Sequence, residues 1–130
     1  MINIIIIGTG NVSYHFSEVI LKKNNLRLIE VYGRKNTIPE HFNKSISYSN
    51  NINKIQPADI YLICVSDNAI ESVNSQLNIN KESIVVHSSG STEMNCLSKH
   101  KKYGVLYPLQ TFSLNSQVDF NNIPIIVEAS

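Results

Sequence analysis

The sequence predicts an α/β fold, a doubly wound and mostly parallel sheet with helices on both faces. Three observations carry this expectation. Ile4 to Ile7 is an unbroken branched apolar run that stops at Gly8, the pattern of a strand buried on both faces. From Val12 the period changes: Val12, Phe16, Val19 and Ile20 fall on one helical stripe that runs to about Lys23. Leu26 to Tyr32 is then a second strand closed by Gly33, which completes a βαβ unit whose crossover should be right-handed.

The alternation continues more loosely. Lys22 and Lys23 suit the negative end of the first helix, and Asn24-Asn25 suits its stop. Ser45 to Tyr48 reads as a short strand and Ile60 to Val65 as a fully apolar one. A helix is expected over Asn68 to Leu77, with Asn68 and Glu71 spaced as a capping box and Ile70, Val73 and Leu77 as its buried stripe. Strands over Ile84 to Val86, Val105 to Tyr107 and Ile123 to Val127, and a helix over Thr92 to His100, complete the pattern. The stretch Asn36 to Asn53 is polar and poorly periodic.

A chain of 130 residues with a formal charge of +1 reads as one domain. Its cations are scattered, not gathered in a stripe, which argues against nucleic acid as a partner. Cys64 and Cys96 belong to no metal-ligand spacing or disulfide framework, so no metal is expected, and Cys64 reads as a small core hydrophobe. Two such thiols point to a reducing compartment, and Met1 to Ile7 resembles neither an export signal nor a membrane span, so the cytoplasm is the expected location. The chain stops directly after the last strand, which suggests a fragment lacking a second, C-terminal domain.

The chemistry centres on Gly8-Thr9-Gly10-Asn11-Val12-Ser13, a Gly-x-Gly-x-x-small loop between a buried strand and a helix. That context makes it a dinucleotide-binding, Rossmann-type signature. Gly8 permits the sharp turn, Gly10 removes a side chain where a pyrophosphate must approach, and Ser13 is small enough for close helix–strand packing. The first-turn amides and the helix dipole would face the pyrophosphate, with Asn11 a candidate cap. A plain glycine turn, or a loop for another nucleotide, is the competing reading.

NAD-specific sites carry a carboxylate at the tip of the second strand. Here the tip reads Gly33-Arg34-Lys35, two cations suited to a 2′-phosphate, so NADP is favoured over NAD; Glu30 is the rival but falls inside the strand. Two charge-assisted bonds would favour NADP by roughly a hundredfold or more. The carboxyl ends of later strands add Val65, Ser66 and Asp67 beside the cofactor, with Asp67 equally suited to capping the next helix. Ser88 and Ser89, next to Gly90, are candidate substrate-facing catalytic residues. His87 could donate a proton but fits a structural role better; Tyr107 to Phe112 could line a substrate pocket; His15, His41 and His100 read as surface residues.

The order of these segments, with His87-Ser88-Ser89-Gly90 and Tyr107-Pro108-Leu109-Gln110-Thr111-Phe112 as the most specific, resembles a bacterial Rossmann-like family of candidate oxidoreductases. Its members have a C-terminal helical domain of unknown function and are similar to pyrroline-5-carboxylate reductase and to the 6-phosphogluconate and 3-hydroxyisobutyrate dehydrogenases. The resemblance implies NADP binding at Gly8, Gly10 and Arg34, a homodimer formed through the helical domain, and a small-molecule substrate in a cleft between domains. Ser89-Gly90 is similar to the serine-glycine element those dehydrogenases place near substrate, although Ser91 stands where they often have glycine. Ser13 in place of the third glycine, and Lys35 to Lys44 in place of a small-residue helix, depart from the pattern. The catalytic lysine of the dehydrogenases would belong to the missing domain. A non-catalytic module that senses nucleotide or docks a partner is the alternative to an enzyme.

Overall fold

The computed structural model describes residues 1–88, 97, 99–108 and 125–129; for 106–108 and 125–129 only the backbone path is considered. The first strand, β1 (Ile2–Ile7), is followed by helix α1 (Asn11–Leu21) and strand β2 (Leu26–Tyr32). A two-residue strand, β3 (Tyr48–Ser49), precedes β4 (Ile60–Ile63), helix α2 (Ile70–Gln76), β5 (Ile84–His87), β6 (Lys102–Pro108) and β7 (Ile125–Ala129). The strands form one sheet in the order β3-β2-β1-β4-β5-β6-β7. All pairs are parallel except β6 with β7, so this is the Rossmann-type α/β arrangement with one antiparallel edge.

Strand β1 is central, and its alternating side chains feed two cores. Ile4 and Ile6 pack with Phe16 and Ile20 of α1, together with Val31 and Leu62. Ile5 and Ile7 point to the other face and pack with Tyr61, Ile63 and, from α2, Ile70. Side chains that alternate between two helix-covered faces must be apolar at every position, which is why the run from Ile4 to Ile7 has no polar interruption. The stripe expected for α2 is present: Ile70 and Leu77 are buried, and Val73 packs against the same cluster.

Several local expectations are corrected. Gly10 is the N-cap of α1 and Asn11 its first residue, so Asn11 does not cap. The expected helix over Asn68 to Leu77 divides into a 3₁₀ turn at Asp67–Ala69 and α2 proper; neither start has a side-chain cap, so the Asn68–Glu71 capping box does not form. Asn68 lies inside the 3₁₀ turn and so lacks the extended backbone an N-cap residue needs, and the Ala69 amide bonds the Ser66 carbonyl. The short strand expected at Ser45 to Tyr48 is Tyr48–Ser49, pairing with Val31 and Tyr32. Of the expected helix at Thr92 to His100, only Leu97, Lys99 and His100 are described, and Leu97 is fully buried in the α2-side core.

Two histidines expected at the surface are buried or half-buried. His15 is only 4% exposed, beside Tyr14, and the Tyr14 ring meets His41 and Phe42 edge-on at 5.0 and 5.5 Å. The segment between β2 and β3 contains no helix, and Phe42, Ile38 and Ile46 supply the apolar cover that a helix would bring to this face. His41 is exposed, as expected. His100 Nε2 lies 2.6 Å from Asn74 Oδ1 on α2, against a carbonyl oxygen that can only accept, so Nε2 is the donor.

The joint between β1 and α1 is tighter than its motif indicates. Gly8 has a φ of 121°, and a Cβ there would fall inside the main-chain carbonyl of Cys64 at the end of β4. Gly8→Ala therefore combines left-handed strain with a clash against backbone that cannot move aside, and should cost about 3 kcal/mol or more in chemical denaturation. A loss under 1 kcal/mol would show that the β1–β4 contact relaxes easily. A second prediction concerns acid. Burial, reinforced by the Lys99 cation, holds the His100 pKa below its ordinary value. The unfolded chain then binds a proton that the native chain resists, so stability falls as the pH drops below about 6.5. His100→Gln should shrink the difference in melting temperature between pH 7.5 and pH 5; an unchanged difference would remove His100 as a source of acid sensitivity.

Candidate functional site

The order of the strands reverses direction at β1: the chain moves outward to β2 and β3, then returns to the other side of β1 as β4. Side chains and loops diverge at such a point and leave a crevice beyond the carboxyl ends of the strands. A cleft of about 510 Å³ opens there. Its floor is the end of β1 with Gly8, Thr9 and Gly10; its flanks are Gly33 and Arg34 after β2, and Val65 and Ser66 after β4.

The loop is held by short contacts on three sides. The Gly8 amide donates to the Tyr32 carbonyl at 2.7 Å, and the Cys64 amide to the Ile7 carbonyl at 2.7 Å. The Ser13 hydroxyl, fully buried, donates to the Gly8 carbonyl at 2.6 Å. The serine in the third small position is thus satisfied internally and ties the first turn of α1 back to the loop. At Gly33 a Cβ would press on the Tyr48 hydroxyl and the Thr9 methyl, so this glycine lets β3 and the loop close together. Gly10 is the opposite case: among the described residues nothing lies within 4 Å of where its Cβ would be. That open volume is on the cleft side of a helix start whose first-turn amides have no carbonyl one turn earlier to bind.

The electrostatics are one-sided. Arg34 is exposed and, among the described residues, makes no hydrogen bond or salt bridge, and no carboxylate among them lines the cleft. Glu30, inside β2 and only 8% exposed, accepts from the Ser47 hydroxyl at 2.9 Å and the Gln56 amide at 3.2 Å. It faces a network below the cleft that includes Tyr32, whose hydroxyl burial and the Glu30 carboxylate push well above the usual tyrosine range. The Tyr61 hydroxyl donates to the Gln56 carbonyl at 2.6 Å, closing the same network.

Of the residues singled out by sequence, Gly8, Thr9, Gly10, Gly33 and Arg34 meet in the cleft, as do Val65 and Ser66. Asn11, Val12, Lys35 and Asp67 do not line it: the first two begin α1, the Lys35 carbonyl accepts from the Tyr48 hydroxyl at 2.7 Å, and Asp67 starts the 3₁₀ turn. Ser88 lies outside the lining, its hydroxyl 3.4 Å from the Ile63 carbonyl and beside Cys64, whose thiol burial pushes up to about 12. His87 is fully buried in β5. Ser89, Gly90, Ser91, Cys96 and the segment from Leu109 to Phe112 lie outside the described residues. Sequence reading missed Asn50, Ile52, Ser72 and Gln76, which line the far end of the cleft. Only the position of Ser72 and Gln76 on a helix after a cleft-edge strand could have signalled them. Among the described residues no group of three or more His, Cys, Asp or Glu is placed to hold a metal, and no helix is long and apolar enough to cross a membrane.

No family profile matches the chain, and no curated protein matches its sequence. Solved structures do. A candidate NADP oxidoreductase from Bacteroides fragilis superposes with a TM-score of 0.80 at 29% identity, over 99% of this chain and 52% of that one. Prephenate dehydrogenase from A. aeolicus, solved with hydroxyphenyl propionate and NAD+, gives 0.72 at 16% identity over 98% and 50% of the two chains. Pyrroline carboxylate reductase from Plasmodium falciparum, solved with NADP bound, gives 0.64 at 14% identity over 82% and 42%. The chain spans about half the length of the structures it matches. By its strand order, its loop and these likenesses, the chain has a Rossmann-type α/β fold, which it shares with these solved structures.

Proposed function

We propose that the cleft binds a nicotinamide dinucleotide, NADP in preference to NAD, as the cofactor-holding part of an oxidoreductase. The observation that carries this reading is a switch-point cleft that has, among the described residues, an open glycine at a helix start, an unpaired arginine at the β2 tip and no acid in its lining. A diphosphate fits the volume left open at Gly10, where the amides and dipole of α1 favour negative charge. Arg34 offers a planar fork to a 2′-phosphate. The carboxylate that could have accepted from a ribose 2′-hydroxyl, Glu30, is occupied by Ser47 and Gln56. Solved likenesses with NADP or NAD in their descriptions support the same class of ligand.

When bound, the cofactor supplies hydride transfer. The chain's own residues bind and orient: the loop fixes the diphosphate, Arg34 fixes the phosphorylated ribose, and Val65 with Ser66 bounds the side leading toward the end of β5. Ser88 and Ser89 remain candidates for contact with a small-molecule substrate. A homodimer built through a helical C-terminal domain, and a cytoplasmic location, belong to the same reading; they rest on the family resemblance and on two cysteines whose spacing fits no disulfide framework. A nucleotide-sensing module is the second reading. It is favoured by one observation: the Cys64 thiol is turned to the Ser88 hydroxyl at the end of β5, and that hydroxyl lies against the Ile63 carbonyl.

Calorimetric titration of the purified protein with NADPH and NADH tests the cofactor. Arg34→Ala should weaken NADPH by about tenfold to a hundredfold, the loss of one charge-assisted bond, and leave NADH nearly unchanged. Equal NADPH affinity in variant and wild type would refute the 2′-phosphate role. To divide enzyme from sensor, NADPH oxidation is followed against a panel of imines, keto acids and aldehydes; tight cofactor binding without turnover on any of them favours the sensor.

A further inference from the structure

Both peptides that flank Gly8 are held, and the two bonds differ in what they imply. The Gly8 amide goes to the Tyr32 carbonyl at 2.7 Å, a contact between the β1 and β2 ends. The Gly8 carbonyl accepts from the Ser13 hydroxyl at 2.6 Å, a side chain on α1 with no solvent exposure. Among the described residues no other donor reaches that carbonyl. Close packing of helix on strand would be served at this position by glycine or alanine, which carry no hydroxyl. The Ser13 oxygen therefore does something that packing does not require.

The Gly8 carbonyl and the Thr9 amide belong to one planar trans peptide, so they point in opposite directions. With the carbonyl drawn to a buried oxygen, the Thr9 N–H faces away from Ser13. It meets no acceptor among the described residues, and both Gly8 and Thr9 line the cleft. The Thr9 methyl rests where a Cβ on Gly33 would press, so its side chain is seated against the β2 flank. Glycine lets an adjoining peptide rock at little cost, and a hydrogen bond weakens steeply once its donor is misaligned. The aim of the Thr9 N–H thus depends on what holds the Gly8 carbonyl.

We propose that Ser13 is a positioning residue, which through the Gly8 carbonyl aims the Thr9 amide at the diphosphate of a bound dinucleotide. The inference rests on the dinucleotide reading of the cleft and adds to it a side chain that touches no ligand. Without the hydroxyl the buried carbonyl loses its partner, and the peptide rotates toward water to regain one. That rotation takes the Thr9 N–H out of line and turns the negative end of a carbonyl dipole toward an anion.

The test titrates wild type and Ser13→Ala with NADPH and with adenosine 2′-monophosphate, which has the base and the 2′-phosphate but no diphosphate. Both titrations are followed by the nuclear magnetic resonance shifts of assigned backbone amides. In wild type the Thr9 amide should move downfield with NADPH and stay in place with the monophosphate. Ser13→Ala removes a single oxygen and leaves a good helix former, so the fold is retained. The variant should bind NADPH about tenfold more weakly, the loss of one well-aligned bond to a charged group. It should bind the monophosphate as wild type does and lose the downfield shift at Thr9. A hydroxyl that merely stabilised the fold would alter both ligands alike. Unchanged NADPH affinity in the variant, an equal loss for the two ligands, or a wild-type Thr9 amide that ignores NADPH overturns the positioning role and leaves the cofactor reading in place. Failure of wild type to bind NADPH at all overturns both.

Discussion

At Gly8 the chain leaves β1 with a backbone conformation that side chains rarely adopt, and the space a side chain would need is filled by the main chain of Cys64. The ends of β1 and β4 are therefore in backbone contact, with the Cys64 amide bonded to the Ile7 carbonyl just below. From the other side the Tyr32 carbonyl takes the Gly8 amide, and from above the Ser13 hydroxyl takes the Gly8 carbonyl. Three strand ends and the first turn of α1 meet on one peptide. This junction aims the loop outward, sets Gly10 against open volume and brings the β2 and β4 tips to the two flanks of one cleft.

A fixed loop decides shape, whereas the charge of the cleft depends on where β2 places its ionisable residues. Glu30 and Arg34 are four residues apart, and both could have faced the cofactor. The β1–β2 register shifts between Ile4 and Ile5, opposite Leu28 and Glu30, and Glu30 turns into the network with Ser47, Gln56 and Tyr32. Arg34 follows Gly33 out of the sheet and stands in solvent at the cleft edge. One strand thus removes an acid from the site and delivers a base to it. An anionic ligand meets no fixed negative charge among the described residues of the lining, and the screening of Arg34 by water is what limits its contribution.

What could be read from the residues follows from how local each signal is. Ile4 to Ile7 and Leu26 to Tyr32 are legible because burial on both faces leaves no room for a polar residue, and β2 spans the expected residues. The phosphate loop is legible because glycine spacing is dictated by backbone, not by partners. The segment from Lys35 to Ser47 is different: its cover over α1 comes from Phe42, Ile38 and Ile46, which have no period because each answers to a separate gap. His15 is buried as well, and nothing in the helical pattern around it marks that. Asn50 and Gln76 carry no motif, since an amide beside a cleft looks like any surface amide until the fold places it there.

Binding and chemistry are also separable in this structure. The groups near the ends of β4 and β5 that could move a proton are held inward: the Cys64 thiol is pushed up to about 12 by burial, the Ser88 hydroxyl lies against the Ile63 carbonyl, and His87 is wholly enclosed. A thiol with so high a pKa is almost wholly protonated at neutral pH and is a poor nucleophile. Besides Cys64 and Tyr32, the described residues that line the cleft are glycines, aliphatics, hydroxyls, amides and one guanidinium, a set suited to recognising a large, charged, flat-ended molecule. Such a lining gains nothing from acid–base poise. It needs fixed dipoles and a rigid floor, and both come from the junction at Gly8.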